Sequence, residues 1–255
     1  MNDCAPTFLL IDIGNSRVKW GLGRQGRIEP GQPFATQHIS SDAKLSRHWG
    51  KASPPAQVVV ANVAGPDIAI HLKTWIGQRW GLTPQFVHSE AQGFGVSNAY
   101  FNPEKLGVDR WVALIAARHA CNGPVCVADC GTAITVDALG FAGAHLGGVI
   151  APGLAMMRRS LVSGTSDLPF ADGEFHDCLA RETISAIASG TRQALAGLIE
   201  RSVRQTSIDL GSEPRLLLTG GDAASIASVL LIPYELRPEL VLEGLLVIAG
   251  SVQLN

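Results

Sequence analysis

The sequence predicts an α/β protein in which one unit is used twice, and two observations carry that expectation. The first is a repeated turn. Asp12-Ile13-Gly14-Asn15-Ser16-Arg17-Val18-Lys19 follows the apolar run 7–11, and Asp129-Cys130-Gly131-Thr132 follows the apolar run 124–128. In each, a buried strand surfaces at an acid, turns at a glycine and leaves as a second strand, 18–20 or 133–136. The second is element order: after both turns, three extended stretches give way to alternating helix and strand. The glycines let backbone N–H groups approach phosphate oxygens with no Cβ in the way, and the carboxylates are placed to face a metal or its water shell. The expected architecture is two similar domains, 1–120 and 121–255, with a nucleotide cleft between them.

Taken in order, the first half reads as strand 7–11, strand 18–20, an extended stretch 28–36 and a polar helix 42–49. The β-branched run 57–62 has the composition of a buried parallel strand. Residues 66–80 read as a helix, with Pro66 in its first turn and Gly81 just past its end. A strand at 85–88, a loop at 91–106 rich in Gly, Asn and Pro, and a strong helix at 109–120 complete this half. The second half repeats the order: extended stretches 125–129, 133–139 and 145–150, helices 153–162 and 181–201, strand 215–219 and a closing helix 238–252. The order β-β-β-α-β-α, twice over, is that of ribonuclease-H-like domains.

Composition narrows the function. With 46% hydrophobic and 16% charged residues, the chain has the material for a sizeable core and is not a disordered tail. A net charge of −2 with scattered Lys and Arg leaves no electrostatic footprint for nucleic acid. Five cysteines, Cys4, Cys121, Cys126, Cys130 and Cys178, form no Cys-x-x-Cys pair, which fits a reducing compartment. The first residues carry an acid where a signal peptide needs positive charge, and no run of about 18 apolar residues is uninterrupted. The expectation is a cytoplasmic protein that binds neither nucleic acid nor membrane.

Three motifs carry the chemistry. The two acid-glycine turns and Thr219-Gly220-Gly221-Asp222 form a set in the order of an ATP site, each at the end of an apolar strand. Any one alone is ordinary turn chemistry, and Asp222 read by itself is a helix N-cap. Gly107-Val108-Asp109-Arg110 opens the best helix in the chain. Asp109 is there either an N-cap or a catalytic acid, and Arg110 either a solvated first-turn charge or a ligand fork. The loop before it gathers Gly95, Asn98, Tyr100 and Asn102, which favours the ligand reading. The glycine strand Gly147-Gly148 to Gly153 suits close packing and ligand approach equally. Thr183 and Ser185 lie on a helix start with a polar face, where they are readable as plain first-turn hydroxyls.

These residues resemble the type III pantothenate kinases, members of the acetate and sugar kinase, Hsp70 and actin superfamily. The likeness runs from Ile11 to about Leu246, and Gly-x-Asp-Arg between the two phosphate turns is its family-specific part. The resemblance implies an actin-like ATPase fold and ATP-dependent phosphorylation of pantothenate to 4′-phosphopantothenate, the first committed step of coenzyme A synthesis. It implies that Asp12, Ile13, Gly14, Asn15, Ser16, Arg17, Val18 and Lys19 cradle the ATP phosphates. Thr132 then touches ATP, and Asp129 binds a monovalent cation, K⁺ or NH₄⁺. Tyr100, Gly107, Val108, Asp109, Arg110 and Thr183 hold pantothenate, with Asp109 as general base and Mg²⁺ accompanying the nucleotide. It also implies a homodimer.

Ser16 stands where Thr is more usual, keeping the hydroxyl. Cys130 puts a thiol beside the proposed cation site, and oxidation or alkylation there is expected to affect the protein. Two other readings remain open: a sugar or carboxylate kinase of the same superfamily, and a nucleotide-binding accessory or regulatory protein without catalysis.

Overall fold

The computed structural model describes residues 6–171 and 178–251, so Cys4 lies outside the described residues. Strand β1 (Phe8–Ile13) buries every residue but Asp12, which is half-exposed. It pairs antiparallel with β2 (Arg17–Arg24) and parallel with β5 (Gln57–Asn62). The expected third stretch, 28–36, is split into β3 (Arg27–Pro30) and β4 (Phe34–Ala35), both paired to β2. Pro30 and Pro33 have no N–H to continue a ladder, which is the reason for the break. With β6 (Gln85–Phe86) the sheet runs β3-β2-β1-β5-β6, with β4 off that path on β2.

Helices α1 (Asp42–Trp49) and α2 (Pro66–Trp80) cover one face of this sheet. Their Leu45, Trp49, Leu72, Trp75 and Ile76 pack with Leu9, Ile11, Ile13, Val58 and Val60 in one buried cluster. Helix α2 starts at Pro66 and ends at Gly81 in the left-handed conformation, as the punctuation predicts. The short strands β7 (Gln92–Gly93) and β8 (Val96–Ser97) precede α3 (Val108–Ala120).

The second sheet copies the first. Strand β9 (Val125–Cys130) has the same burial pattern as β1, with Asp129 as its one half-exposed residue. Strand β10 (Ala133–Leu139), β11 (His145–Pro152), β12 (Arg215–Thr219) and β13 (Glu235–Leu236) complete the order β11-β10-β9-β12-β13. In both sheets the acid-bearing strand has an antiparallel partner on one side and a parallel one on the other. Helix α4 (Leu154–Gly164), α5 (Thr183–Leu210) and the five-residue α6 (Ala223–Ala227) pack through Leu154, Leu195, Ile199 and Ile226 on Ile134, Val136, Leu216 and Leu218. Helix α5 runs nine residues past its expected end at 201, to Leu210. Its polar final turns hide the apolar period, but nothing breaks them before Gly211, which caps the helix in the left-handed region.

The chain forms two compact units, one made of the described residues of 1–94, 100–116 and 239–255, the other of 95–99 and 117–238. Helix α7 (Leu240–Ser251) therefore closes the first unit, packing on β1, β2, β3 and β5. Its opposite side meets α3 at Gly244, where a Cβ would stand 2.1 Å from the Val112 carbonyl oxygen. Only glycine permits that approach. Gly244→Ala is expected to destabilise the protein by about 1–3 kcal/mol, the usual cost of overpacking, read as a lowered midpoint in a denaturant melt.

Candidate functional site

The first acid-glycine turn is a hairpin. Asp12 lies directly across from Lys19, so the two side chains share a face of the sheet. Gly14 N–H donates to the Arg17 carbonyl at 3.0 Å, leaving Asn15 and Ser16 exposed at the tip. Thr36 braces the turn from behind: its hydroxyl donates to the Gly14 carbonyl at 2.7 Å and its N–H to the Ser16 carbonyl at 3.2 Å. Thr36 is buried. Nothing in the sequence marked it, because its role depends on the β4 strand bringing it back to residue 14.

The second turn is one residue shorter. Gly131 N–H donates to the Ala133 carbonyl at 3.1 Å, and Thr132 alone is exposed at the tip. Thr132, not a counterpart of Ser16, supplies the hydroxyl here. Asp129 sits between Thr135 on β10 and Thr219 on β12. Thr219-Gly220-Gly221-Asp222 closes over it: Asp222 N–H donates to the Cys130 carbonyl at 2.9 Å. A Cβ on Gly220 would stand 2.5 Å from Asp129 Oδ1 and 2.4 Å from the Cys130 carbonyl, and its φ of +96° also favours glycine. Gly153 N–H donates to the Thr132 carbonyl at 3.1 Å, so the glycine strand ends by holding this turn.

Gly107-Val108-Asp109-Arg110 is a third construction, in the first unit. The helix begins at Val108, and Trp111 N–H donates to the Gly107 carbonyl at 3.0 Å. Asp109 is thus inside the first turn and is not the N-cap. Its Oδ1 accepts from Arg110 N–H at 2.8 Å, and a Cβ on Gly107 would lie 2.6 Å from that same oxygen. Glycine at 107 thus leaves room for the folded-back carboxylate in this conformation. Arg110 is buried and not a solvated charge; Nη1 donates to the Tyr100 hydroxyl at 2.7 Å and the guanidinium carbon lies 5.5 Å from that ring's centroid. Ser89 steadies the approach by donating to the Leu106 carbonyl at 2.8 Å.

Thr183 is the exposed first residue of α5 and belongs to the second unit, with Asp129 and Thr132. Glu182 precedes it and accepts from the Ser185 hydroxyl at 2.6 Å, which makes Ser185 a structural first-turn hydroxyl. Among the described residues no three His, Cys, Asp or Glu side chains gather as a metal cage.

The placement of Cys130 opposes the expected sensitivity. The residue is buried, and its thiol is pushed up to about 12 by desolvation first and then by Asp129 and Asp222. Burial also raises Cys121 and Cys126. A thiol reacts as its thiolate, so these three are protected at neutral pH. No helix among the described residues is long and apolar enough to cross a membrane.

The duplicated sheets with an acid-glycine turn on each define the actin-like ATPase and sugar kinase fold. MreB 5 of Spiroplasma citri, solved with AMPPNP, matches with a TM-score of 0.53 at 10% identity, over 98% of each chain. A glucokinase from an Antarctic psychrotroph matches with a TM-score of 0.52 at 12% identity, over 96% of this chain and 99% of that one. The family model describing type III pantothenate kinases matches residues 8–205. A type III pantothenate kinase of Aromatoleum aromaticum is 42% identical over 243 residues, 95% of this chain and 97% of that relative. The chain belongs to the type III pantothenate kinase family.

Of the described cysteines only Cys178 is exposed. In a native-state labelling time course at pH 7, Cys178 is expected to alkylate promptly while Cys121, Cys126 and Cys130 react only on unfolding; peptide mass spectrometry reads the order, and early label on Cys130 would contradict it.

Proposed function

We propose that this protein transfers the γ-phosphoryl group of ATP to the primary hydroxyl of pantothenate, giving 4′-phosphopantothenate. The observation that carries the reading is the buried Arg110 locked to Tyr100 beside the folded-back Asp109. The guanidinium offers a planar donor fork suited to pantothenate's carboxylate or amide oxygens. Asp109 takes the hydroxyl proton. Tyr100, Gly107, Val108 and Thr183 complete the acceptor contacts.

Residues Asp12 to Lys19 and Thr132 hold the phosphates, through backbone N–H groups at the two turns and the Lys19 charge. Asp129 supplies the carboxylate for K⁺ or NH₄⁺, and Mg²⁺ is held by the nucleotide and the turn carboxylates. These ions supply charge neutralisation, which with alignment is most of what phosphoryl transfer asks of a protein. Residues 1–120 and 121–255 are the duplicated halves, with α7 returning to the first.

The protein works as a cytoplasmic homodimer. Support for the dimer is the edge strand β11, whose Leu146, Val149 and Ile150 are exposed, with Met156 and Val162 on α4 beside it. An apolar sheet edge of this kind is normally covered.

The experiment is a coupled assay of ATP consumption with and without pantothenate. Turnover only with pantothenate is expected; turnover with a sugar instead, or none with any cation, would overturn the reading. Asp109→Asn keeps the acceptor for Arg110 N–H, so folding is expected to survive while kcat falls roughly 10²–10⁴-fold. A near-wild-type kcat with a lowered melting point would make Asp109 structural only.

Rates are expected to differ between sodium, potassium and ammonium buffers, and Asp129→Asn to weaken that dependence. Equal rates in all three would remove the cation from Asp129.

A further inference from the structure

Asp137 and His145 are ionisable side chains buried in the second unit and used by none of the chemistry above; their side chains are 3% and 0% exposed. They are joined at 3.0 Å, His145 Nε2 to Asp137 Oδ1. Burying a carboxylate is costly unless its partner is well placed. Here the partner is placed by a fault in the sheet. Strands β10 and β11 run in one register from Ala133↔Pro152 to Ala138↔Gly147, then shift so that Leu139 faces His145 and Leu146 is extra. In the unshifted register His145 would share a face with Ile134 and Val136, which line the apolar core. A one-residue shift turns a side chain to the opposite face, so the bulge is what brings His145 to the Asp137 side.

The other ring nitrogen fixes the chemistry. His145 Nδ1 receives the backbone N–H of Ala99 at 3.4 Å, a long bond. A backbone N–H only donates, so this contact matches the tautomer in which Nδ1 accepts and Nε2 faces the Asp137 carboxylate as donor. Two further contacts hold the same stretch of chain. Ser97 forms a parallel bridge with Ala144, and Gly143 lies so close to the Gly95 carbonyl that a Cβ would stand 1.9 Å from it. Segment Gly95–Ala99 is thus seated along residues 143–145, and it counts with the second unit while the next residue, Tyr100, counts with the first. Tyr100 is the residue that accepts from Arg110.

We propose that His145, oriented by Asp137, is a positioning residue for the acceptor: by holding Ala99 it sets where Tyr100 stands, and so how pantothenate is received. This rests on the reading of Tyr100 as a pantothenate contact. The isosteres divide the two bonds. His145→Asn keeps an acceptor near Nδ1 and loses the group facing Asp137, whereas His145→Gln keeps a donor near Nε2 and loses the acceptor for Ala99.

The test compares both variants with Tyr100→Phe and the double variant His145→Gln/Tyr100→Phe, after thermal melts confirm folding. His145→Gln is expected to raise the pantothenate KM about fivefold, the scale of one hydrogen bond, with the ATP KM within twofold. His145→Asn is expected to retain more of the wild-type value. Amide exchange in the peptide covering 95–100 should quicken in His145→Gln and less in His145→Asn. In the Tyr100→Phe background the His145 change should add little.

An unchanged pantothenate KM in folded His145→Gln, equal rises in both KM values, or full additivity with Tyr100→Phe would overturn the positioning role. A Tyr100→Phe variant with wild-type pantothenate KM would instead remove Tyr100 from the acceptor site. The proposal would fall with it, by a result separate from those on His145.

Discussion

The second turn works because two backbones and a carboxylate meet where no side chain intervenes. Asp129 ends a strand whose other residues are buried, and Gly220 lies against its Oδ1 with room for a hydrogen and nothing larger. A carboxylate so enclosed is fixed in direction, which a cation or phosphate site needs and a solvated surface acid lacks. The consequences reach outward. Cys130 must face the core, where desolvation and the two nearby acids keep its thiol neutral. Asp222 N–H must turn back to the Cys130 carbonyl, and Gly153 must close on Thr132 from the other side. The turn is held by hydrogen bonds from two separate segments of the second unit, at Gly153 and at Asp222.

The two copies solve the same problem differently. Strands β1 and β9 match residue for residue in burial, and their neighbours in the two sheets match in order and direction. The turns do not match. The first is longer and is braced by the Thr36 hydroxyl; the second is shorter and braced by backbone from Gly153 and Asp222. A longer tip presents Asn15 and Ser16, a shorter one only Thr132, so the copies are similar in frame and different in what they offer a ligand.

Most of the frame was legible because buried strands are continuous apolar runs and helices here carry plain punctuation, as Pro66 and Gly81 do for α2. What escaped reading depends on tertiary return. Thr36 is a bracing residue only because β4 pairs back on β2. The assignment of α7 to the first unit is invisible in a helix that is apolar nearly all round. The reactivity expected of Cys130 meets the same obstacle: its place beside Asp129 in sequence suggested a thiol open to reagents, while the fold buries it in the core. Of the candidate site, both turns and Gly107 to Arg110 stood out through glycine spacing. The reason for that spacing, Asp109 folding back over residue 107, did not.

This division bears on how such a fold acquires specificity. The acid-glycine turns sit on the duplicated strands, and structures as different as a glucokinase and MreB 5 share the fold that carries them. Tyr100, Gly107, Asp109 and Arg110 lie instead on the connection between the copies, after β6 and before β9. The connection adds no strand to either large sheet, whereas the turns are built into the sheets and fixed by close backbone packing such as that at Gly220. Under the function proposed above, the acceptor is chosen by this non-duplicated segment, which carries Gly107 to Arg110. Within that connection Arg110 is buried against Tyr100, and Ser89 holds the Leu106 carbonyl just ahead of Gly107, so the segment has a fixed geometry of its own.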